Sequence, residues 1–293
     1  MGQADSGGVT ALASTYVHAP NQTLSAPNDV DYAYRVTGPS GAPPLVMLQH
    51  FRGNLDNWDP ALIDALAQDR RVIAFDNRGV AASTGTTPHT IAQMALDALD
   101  FIDALDAGAV DLLGFSIGSF VAQEIALVRP ESVRNIVLAS SAPQGASGMH
   151  GWAPDVIGAV GTPETSAAQY IGVFFADSDA SRAAGQAVAG RVFGARTVDR
   201  DAPTSWQTRL AQYDAVCAWG IPDHALLQRV SAIEQPVFVA AGDRDPMILP
   251  RYSHLLAGLI PDVRLKIYPD AAHGFLFQHH AEFAADVSAF LGQ

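Results

Sequence analysis

A chain of 293 residues, 48% apolar and 16% charged, can bury a large core and does not have the composition of a disordered protein. Its net charge of −13, with Lys266 as the single lysine, works against binding to nucleic acid or to an anionic membrane surface, so neither is an expected partner. One cysteine, Cys217, excludes an internal disulfide, and no uninterrupted apolar stretch is long enough for a membrane span.

Residues 1–28 are rich in Gly, Ser, Ala, Asn and Pro and read as a loosely ordered tail. They contain no basic residue and no long apolar run, so no signal peptide is read and a cytoplasmic location is expected. Val30 to Val36 alternates apolar and polar residues, the pattern of an antiparallel strand with one buried face. After Pro43-Pro44, Leu45 to His50 reads as a buried strand, Trp58 to Gln68 has helical period, and Arg71 to Phe75 is the next strand. Thr90 to Leu105 reads as a helix, with Thr87-Pro88 at its start and Gly108 past its end.

The run Val110-Asp-Leu-Leu-Gly-Phe-Ser-Ile-Gly118 carries the chemistry. An apolar strand ends in Gly114-x-Ser116-x-Gly118, and a helical pattern opens at Ile117 and runs to Arg129-Pro130. A serine at a sharp strand-to-helix turn is pushed out of the sheet with its hydroxyl accessible, and flanking glycines are needed because neighbouring backbone comes too close for a Cβ. A serine hydroxyl is inert at neutral pH, so a nucleophilic Ser116 needs a base within reach.

Val133 to Ala139 is a further strand, after which the strand–helix rhythm breaks. From 145 to 230 no strand pattern appears, and the stretch is helical and rich in aromatics. It reads as a helical lid inserted into a core made of 29–144 and 231–293. Most of its aromatics are packing; Trp152, Phe174, Phe175 and Trp206 are the expected pocket lining. Alternation resumes with the strand Pro236 to Gly242, followed by Asp243-Arg-Asp245-Pro, and with Val263 to Tyr268, followed by Pro269-Asp-Ala-Ala-His273-Gly. Helices alternating with strands imply a mostly parallel sheet covered on both faces. Ser116, an acid at 243 or 245, and His273 each follow a strand, in the order of a Ser–acid–His triad. His279 and His280 are the nearby alternatives for the base, but both fall within a helical pattern.

On these residues the chain resembles α/β-hydrolases with a lid, of the esterase, lactonase and cofactor-free haloperoxidase type. The resemblance runs from about residue 30 to the C-terminus. It implies an eight-stranded, mostly parallel sheet flanked by helices, and an acyl-enzyme reaction on a small apolar carboxylic ester or lactone. Ser116 would be the nucleophile, His273 the base and Asp245 the acid, since a Gly-x-x-Asp turn in the family matches Gly242-Asp-Arg-Asp245. The oxyanion hole would use the N–H groups of Ile117 and Phe51, the latter by matching Gln49-His50-Phe51 to the family's His-Gly-apolar loop. Here His50 stands in place of the glycine. Asp76-Asn-Arg78-Gly79 resembles a structural turn of the family and is given no chemical role. No metal or other cofactor is expected. Perhydrolysis on the same machinery, or a ligand receptor built on a hydrolase scaffold, are the other readings.

Overall fold

The computed structural model describes residues 15–41 and 43–292. Its strands, β1 (Gln22–Ser25), β2 (Asp31–Thr37), β3 (Leu45–Leu48), β4 (Val72–Phe75), β5 (Val110–Phe115), β6 (Val133–Ala139), β7 (Val237–Gly242) and β8 (Val263–Tyr268), form one eight-stranded sheet. The order is β1-β2-β4-β3-β5-β6-β7-β8. Only β1 with β2 and β2 with β4 pair antiparallel; every other pair is parallel. Parallel strands covered on both faces should read as unbroken apolar runs, and β3, β4, β5 and β7 are buried along their whole length. β8 closes one edge, is only half-buried and carries Lys266, a residue that discourages pairing with another chain.

Helices α1 (Pro60–Leu66), α2 (Ile91–Ala104), α3 (Ile117–Val128), α9 (Arg251–Leu259), α10 (Phe275–Gln278) and α11 (His280–Leu291) flank this sheet, with α1 packed on α11 and α2 on α3. Between β6 and β7 come five helices and no strand: α4 (Pro154–Val160), α5 (Ala167–Phe174), α6 (Asp179–Gly194), α7 (Trp206–Trp219) and α8 (His224–Gln228). Side chains of Ser166, Ser178, Ser205 and Asp223 accept the free N–H groups that start the last four of these. Among the described residues no helix is long and apolar enough to cross a membrane.

The sequence expectation for the tail needs correction where it can be checked. Residues 1–14 lie outside the described residues, but 15–28 are not a loose tail. Tyr16 is buried and its hydroxyl donates to the Leu55 carbonyl at 2.7 Å, while Gln22–Ser25 pairs in register with β2. A short, polar edge strand carries no apolar run to announce it, because one side of it faces water. Strand β3 also stops two residues short of the expected span 45–50, at Leu48, where its apolar run ends. The Gln49 side chain takes over: its Oε1 accepts the His50 N–H at 2.9 Å and its Nε2 donates to the Asn54 carbonyl at 2.6 Å, which turns the chain into a loop.

The insertion is fastened to the core by arginines. Arg191 of α6 makes a two-pronged pair with the fully buried Asp59, at 2.8 and 2.7 Å. Arg35 of β2 pairs with Asp56 at 2.7 Å, and the Asp56 carboxylate also accepts the Asp201 N–H at 2.8 Å.

Candidate active site

Ser116 sits between the last residue of β5 and the first of α3, with φ 56° and ψ −122°. A non-glycine residue with positive φ costs on the order of 1 kcal/mol or more, and persists only where its surroundings enforce it. Here they do. The Ser116 N–H donates to Ala139 of β6 at 2.9 Å, and α3 lies so close beneath the turn that a Cβ on Gly118 would meet the Leu48 carbonyl oxygen at 2.1 Å. A Cβ on Gly114 would meet the Gly118 carbonyl at 2.4 Å. Behind the turn, Ser119 bonds the Ser116 carbonyl at 2.5 Å, and Ser119, Ser141 and Gln123 form a buried polar network.

Asp245 and His273 follow β7 and β8. His273 Nδ1 lies 2.8 Å from Asp245 Oδ2, with side-chain exposures of 1% and 0%. The other oxygen of Asp245 is occupied, accepting the Met247 and Ile248 N–H groups at 2.8 and 3.0 Å. A carboxylate so held fixes its partner as the Nδ1–H tautomer and leaves Nε2 able to take a proton. Asp243 is exposed and accepts the Ala271 N–H at 3.1 Å, a turn-forming contact, and Arg244 pairs with Asp270 rather than Asp243. His279 and His280 stand at the α10–α11 junction, bonded to the Pro269 and Phe277 carbonyls. Two contacts that the sequence does not announce hold the His273 loop. Ser140, at the end of β6 with φ 48°, donates to the His273 carbonyl at 3.2 Å, and the Gly274 N–H donates to Phe174 of the insertion at 2.7 Å.

Ser116 and His273 line one cavity of about 340 Å³, together with His50, Phe51, Phe174 and Met247. Neither Phe51 nor Ile117 donates its N–H to any acceptor among the described residues, as two groups reserved for an oxyanion would require. Of the four aromatics expected to line the pocket, only Phe174 does. Trp152 stands behind Phe51, edge-on at 4.9 Å between ring centres; Phe175 packs on Gly185 of α6; Trp206 is 40% exposed, with Arg209 over its ring at 4.9 Å. Helix α5 ends at Phe174, and neighbouring side chains diverge there, so Phe174 and Phe175 cannot face the same cavity. Tyr170, one turn before Phe174, does line it, with the two rings stacked at 4.2 Å. That i, i+4 spacing is the signal that picks out Tyr170.

His50 is placed between the sheet and the cavity, edge-on to Phe115 and Phe174 at 5.2 and 5.5 Å. Its Nδ1 lies 2.9 Å from the Phe51 carbonyl, and its Nε2 is buried without a partner. Burial pushes its pKa down to about 4, reinforced by the neighbouring His273 and partly offset by the carbonyls of Phe51 and Asn57. The imidazole is therefore neutral at pH 7. The next residue, Arg52, has φ 63° and sends its guanidinium into the insertion, to the carbonyls of Thr162 and Pro163 at 2.7 Å each and of Val160 at 3.2 Å. Among the described residues no group of three or more His, Cys, Asp or Glu is arranged to hold a metal ion.

A strained serine at a strand–helix turn, with an acid and a histidine on the next strand ends of an eight-stranded sheet, defines an α/β-hydrolase. The chain belongs to that family: the model of the alpha/beta hydrolase fold matches residues 43–280. Among solved structures it is similar to an alpha/beta hydrolase fold protein from Chitinophaga pinensis, at 39% identity and a TM-score of 0.89, covering 95% of this chain and 99% of that one. Among curated proteins it is 31% identical over 262 residues to a poly(3-hydroxyalkanoate) depolymerase of Ectopseudomonas oleovorans, covering 85% of this chain and 84% of the relative. A shorter match, 36% identical over 96 residues, is to a Mycobacterium tuberculosis protein named as a non-heme bromoperoxidase, BpoC; it covers 32% of this chain and only 37% of the relative.

Proposed function

We propose that this α/β-hydrolase cleaves carboxylic esters or lactones through an acyl-enzyme on Ser116. The observation that carries the reading is the buried 2.8 Å pair of His273 and Asp245 on the wall of the cavity that Ser116 also lines. His273 takes the Ser116 proton as the oxygen attacks the carbonyl carbon. The N–H groups of Phe51 and Ile117 receive the negative charge on the carbonyl oxygen. His273 then gives its proton to the departing alcohol, takes another from the water that attacks the acyl carbon, and returns that proton to Ser116 Oγ as the bond to the acid breaks. Asp245 holds the ring and stabilises its charged form without itself taking the proton. The helical insertion acts as a lid over the cavity. The depolymerase relative, named for a polyester, supports ester cleavage over amide cleavage.

Perhydrolysis, with peroxide in place of water at the acyl-enzyme, is the second reading, favoured by the name of the bromoperoxidase relative. The test is a panel of chromogenic esters and lactones with and without peroxide, run beside an organophosphorus label. Ester turnover, label on Ser116 alone, and a loss of about 10³-fold or more in Ser116→Ala are expected. Intact turnover in Ser116→Ala would overturn the assignment, and no turnover of any ester would leave a receptor as the better description.

A further inference from the structure

In the reaction above His273 serves three partners from one place: Ser116, the departing alcohol and the incoming water. Asp245 holds its ring, but where the ring sits depends on the loop 269–274 that carries it. The core fixes the middle of that loop. Ala271 bonds the turn after β7, its N–H to Asp243 at 3.1 Å and its carbonyl to the Arg244 N–H at 2.9 Å, and Ser140 donates to the His273 carbonyl at 3.2 Å. The flanks of the loop, at Asp270 and Gly274, are held by the insertion.

Three bonds cross to it from residues 174–181, where α5 passes into α6. The Phe174 carbonyl accepts the Gly274 N–H at 2.7 Å, Ser178 Oγ donates to the Asp270 carboxylate at 2.5 Å, and Ser181 Oγ donates to Gln278 Oε1 at 2.6 Å. Gln278, the last residue of α10, passes the third on, since its Nε2 donates to the Asp270 carbonyl at 2.8 Å. Ser181 is fully buried, and its oxygen is fixed from the other side by the Ala176 N–H at 2.8 Å. Asp270 needs such support. Its φ of 52° is a conformation that a residue other than glycine keeps only where its surroundings enforce it. From the core its carboxylate has an exposed ion pair with Arg244 at 3.4 Å, a weak restraint.

We propose that Ser181 and Gln278 are positioning residues for the reaction, through which the helical insertion holds the His273 loop in register with Ser116. The insertion then supports the base as well as covering the cavity. The proposal rests on the hydrolase reading, since register with Ser116 matters only if His273 moves its proton. Phe174 joins the two roles. Its ring lines the cavity, edge-on to His273 at 5.4 Å, while its carbonyl holds the residue that follows His273.

The test sets Gln278→Leu and Ser181→Ala beside Ser166→Ala. Ser166 caps α5 from an exposed position and its side chain bonds Gln169, so its loss weakens the insertion without touching the His273 loop. A shift of about 1 Å at a reacting group can cost roughly 100-fold in rate. Gln278→Leu and Ser181→Ala should therefore lose about tenfold or more in kcat on acetate and long acyl esters alike, with KM within about twofold. Ser166→Ala should keep the wild-type kcat, whereas a role in stability alone would treat the three variants alike. Gln278 is half-buried, so Gln278→Leu carries the test if Ser181→Ala does not fold. The second readout needs no substrate. The proton between His273 Nδ1 and Asp245 gives an NMR signal downfield of the amides, identified by its absence in His273→Ala. It should be sharp in the wild-type protein and in Ser166→Ala, and broadened or lost in the other two. Either readout unchanged in Gln278→Leu, or lost equally in Ser166→Ala, would overturn the positioning role. If no ester is turned over at all, the hydrolase reading has failed, and the proton signal alone decides whether the insertion holds His273.

Discussion

Arg52 ties the loop that carries Phe51 to the insertion, and removing its side chain should loosen one without unfolding the other. The guanidinium makes two short bonds, to Thr162 and Pro163 at 2.7 Å, and longer ones to Val160 and to Thr165 Oγ1 at 3.2 and 3.4 Å. A hydrogen bond from a charged donor is worth about 1.5–3 kcal/mol when buried, but this side chain is only partly so, which brings each short bond nearer ~1 kcal/mol. Arg52→Ala should therefore cost the 160–165 segment about 2 kcal/mol of local stability, or roughly 30-fold in its opening equilibrium. The backbone anchors would remain: the residue-52 N–H donates to Gln212 at 2.7 Å and its carbonyl accepts from Thr204 at 2.5 Å. Hydrogen exchange read by mass spectrometry across α4 and the turn after it is the direct assay. Amides there should exchange about 10- to 30-fold faster, with the β5–α3 region unchanged. Long acyl esters should lose more kcat/KM than acetate esters, because a loosened wall costs most where the substrate touches it. Arg52→Gly should give the same local loosening with a smaller loss of global stability, since glycine relieves the positive φ. Unchanged exchange over 154–165 in Arg52→Ala would refute the clamp.

Asp245→Asn should lower kcat by about 10⁴-fold, as expected when an acid that sets a histidine tautomer is lost, and steady-state kinetics measures it. Asp243→Asn, which keeps the acceptor used by the Ala271 N–H, should change kcat little; the reverse ranking would move the acid to position 243. Gly118→Ala drives a Cβ into the Leu48 backbone at 2.1 Å and should cost about 3 kcal/mol or more, seen as a lowered Tm with activity lost. A native Tm would mean that the turn yields more readily than its packing implies. The His50 pKa of about 4 lies below its usual 6.5, so the unfolded chain takes up this proton first. The contribution is whole above about pH 6.5 and is lost as pH falls towards 4, by up to ~3 kcal/mol. Denaturant titrations at pH 7 and pH 4 should show His50→Phe losing less stability than the wild-type protein across that window; equal losses would contradict a buried neutral imidazole.

The parts of the molecule that were legible in the sequence are those governed by local rules. The apolar run before Ser116 and the helical period after it correspond to β5 and α3, because a strand buried on both faces is apolar at all but a paired position, here Asp111 bonded by Asn135, and the turn between has no room for side chains. Asp245 could not be separated from Asp243 by chain chemistry alone, since both lie in one short turn. What separates them is where the turn points them, one to water and one into a 2.8 Å contact with His273. The insertion was legible as helix but not as surface. Trp206 has the composition of a pocket residue and lies exposed at the first turn of α7, while Trp152 supports Phe51 from behind. Which face of such a helix meets the cavity depends on crossing angles with its neighbours, and these are not a property of any one segment.

The loop from Gln49 to Gly53 shows why a departure from a family pattern carries more information than a match. Glycine in place of His50 would satisfy the oxyanion loop with the least material. Histidine there needs a buried place for an imidazole, and Phe115 and Phe174 supply it. It also needs a partner for Nδ1, which the Phe51 carbonyl supplies in the same residue whose N–H faces no acceptor. The ring is thus linked to the Phe51–Arg52 peptide, the neighbour of the one that carries the Phe51 N–H, and the Arg52 side chain links that segment to the insertion. A substitution at position 50 acts on three things at once: the cavity wall, the Phe51 amide proposed to receive the oxyanion, and the anchorage of the insertion. These effects separate by measurement, since the first moves substrate preference, the second moves kcat on every ester alike, and the third moves hydrogen exchange in α4.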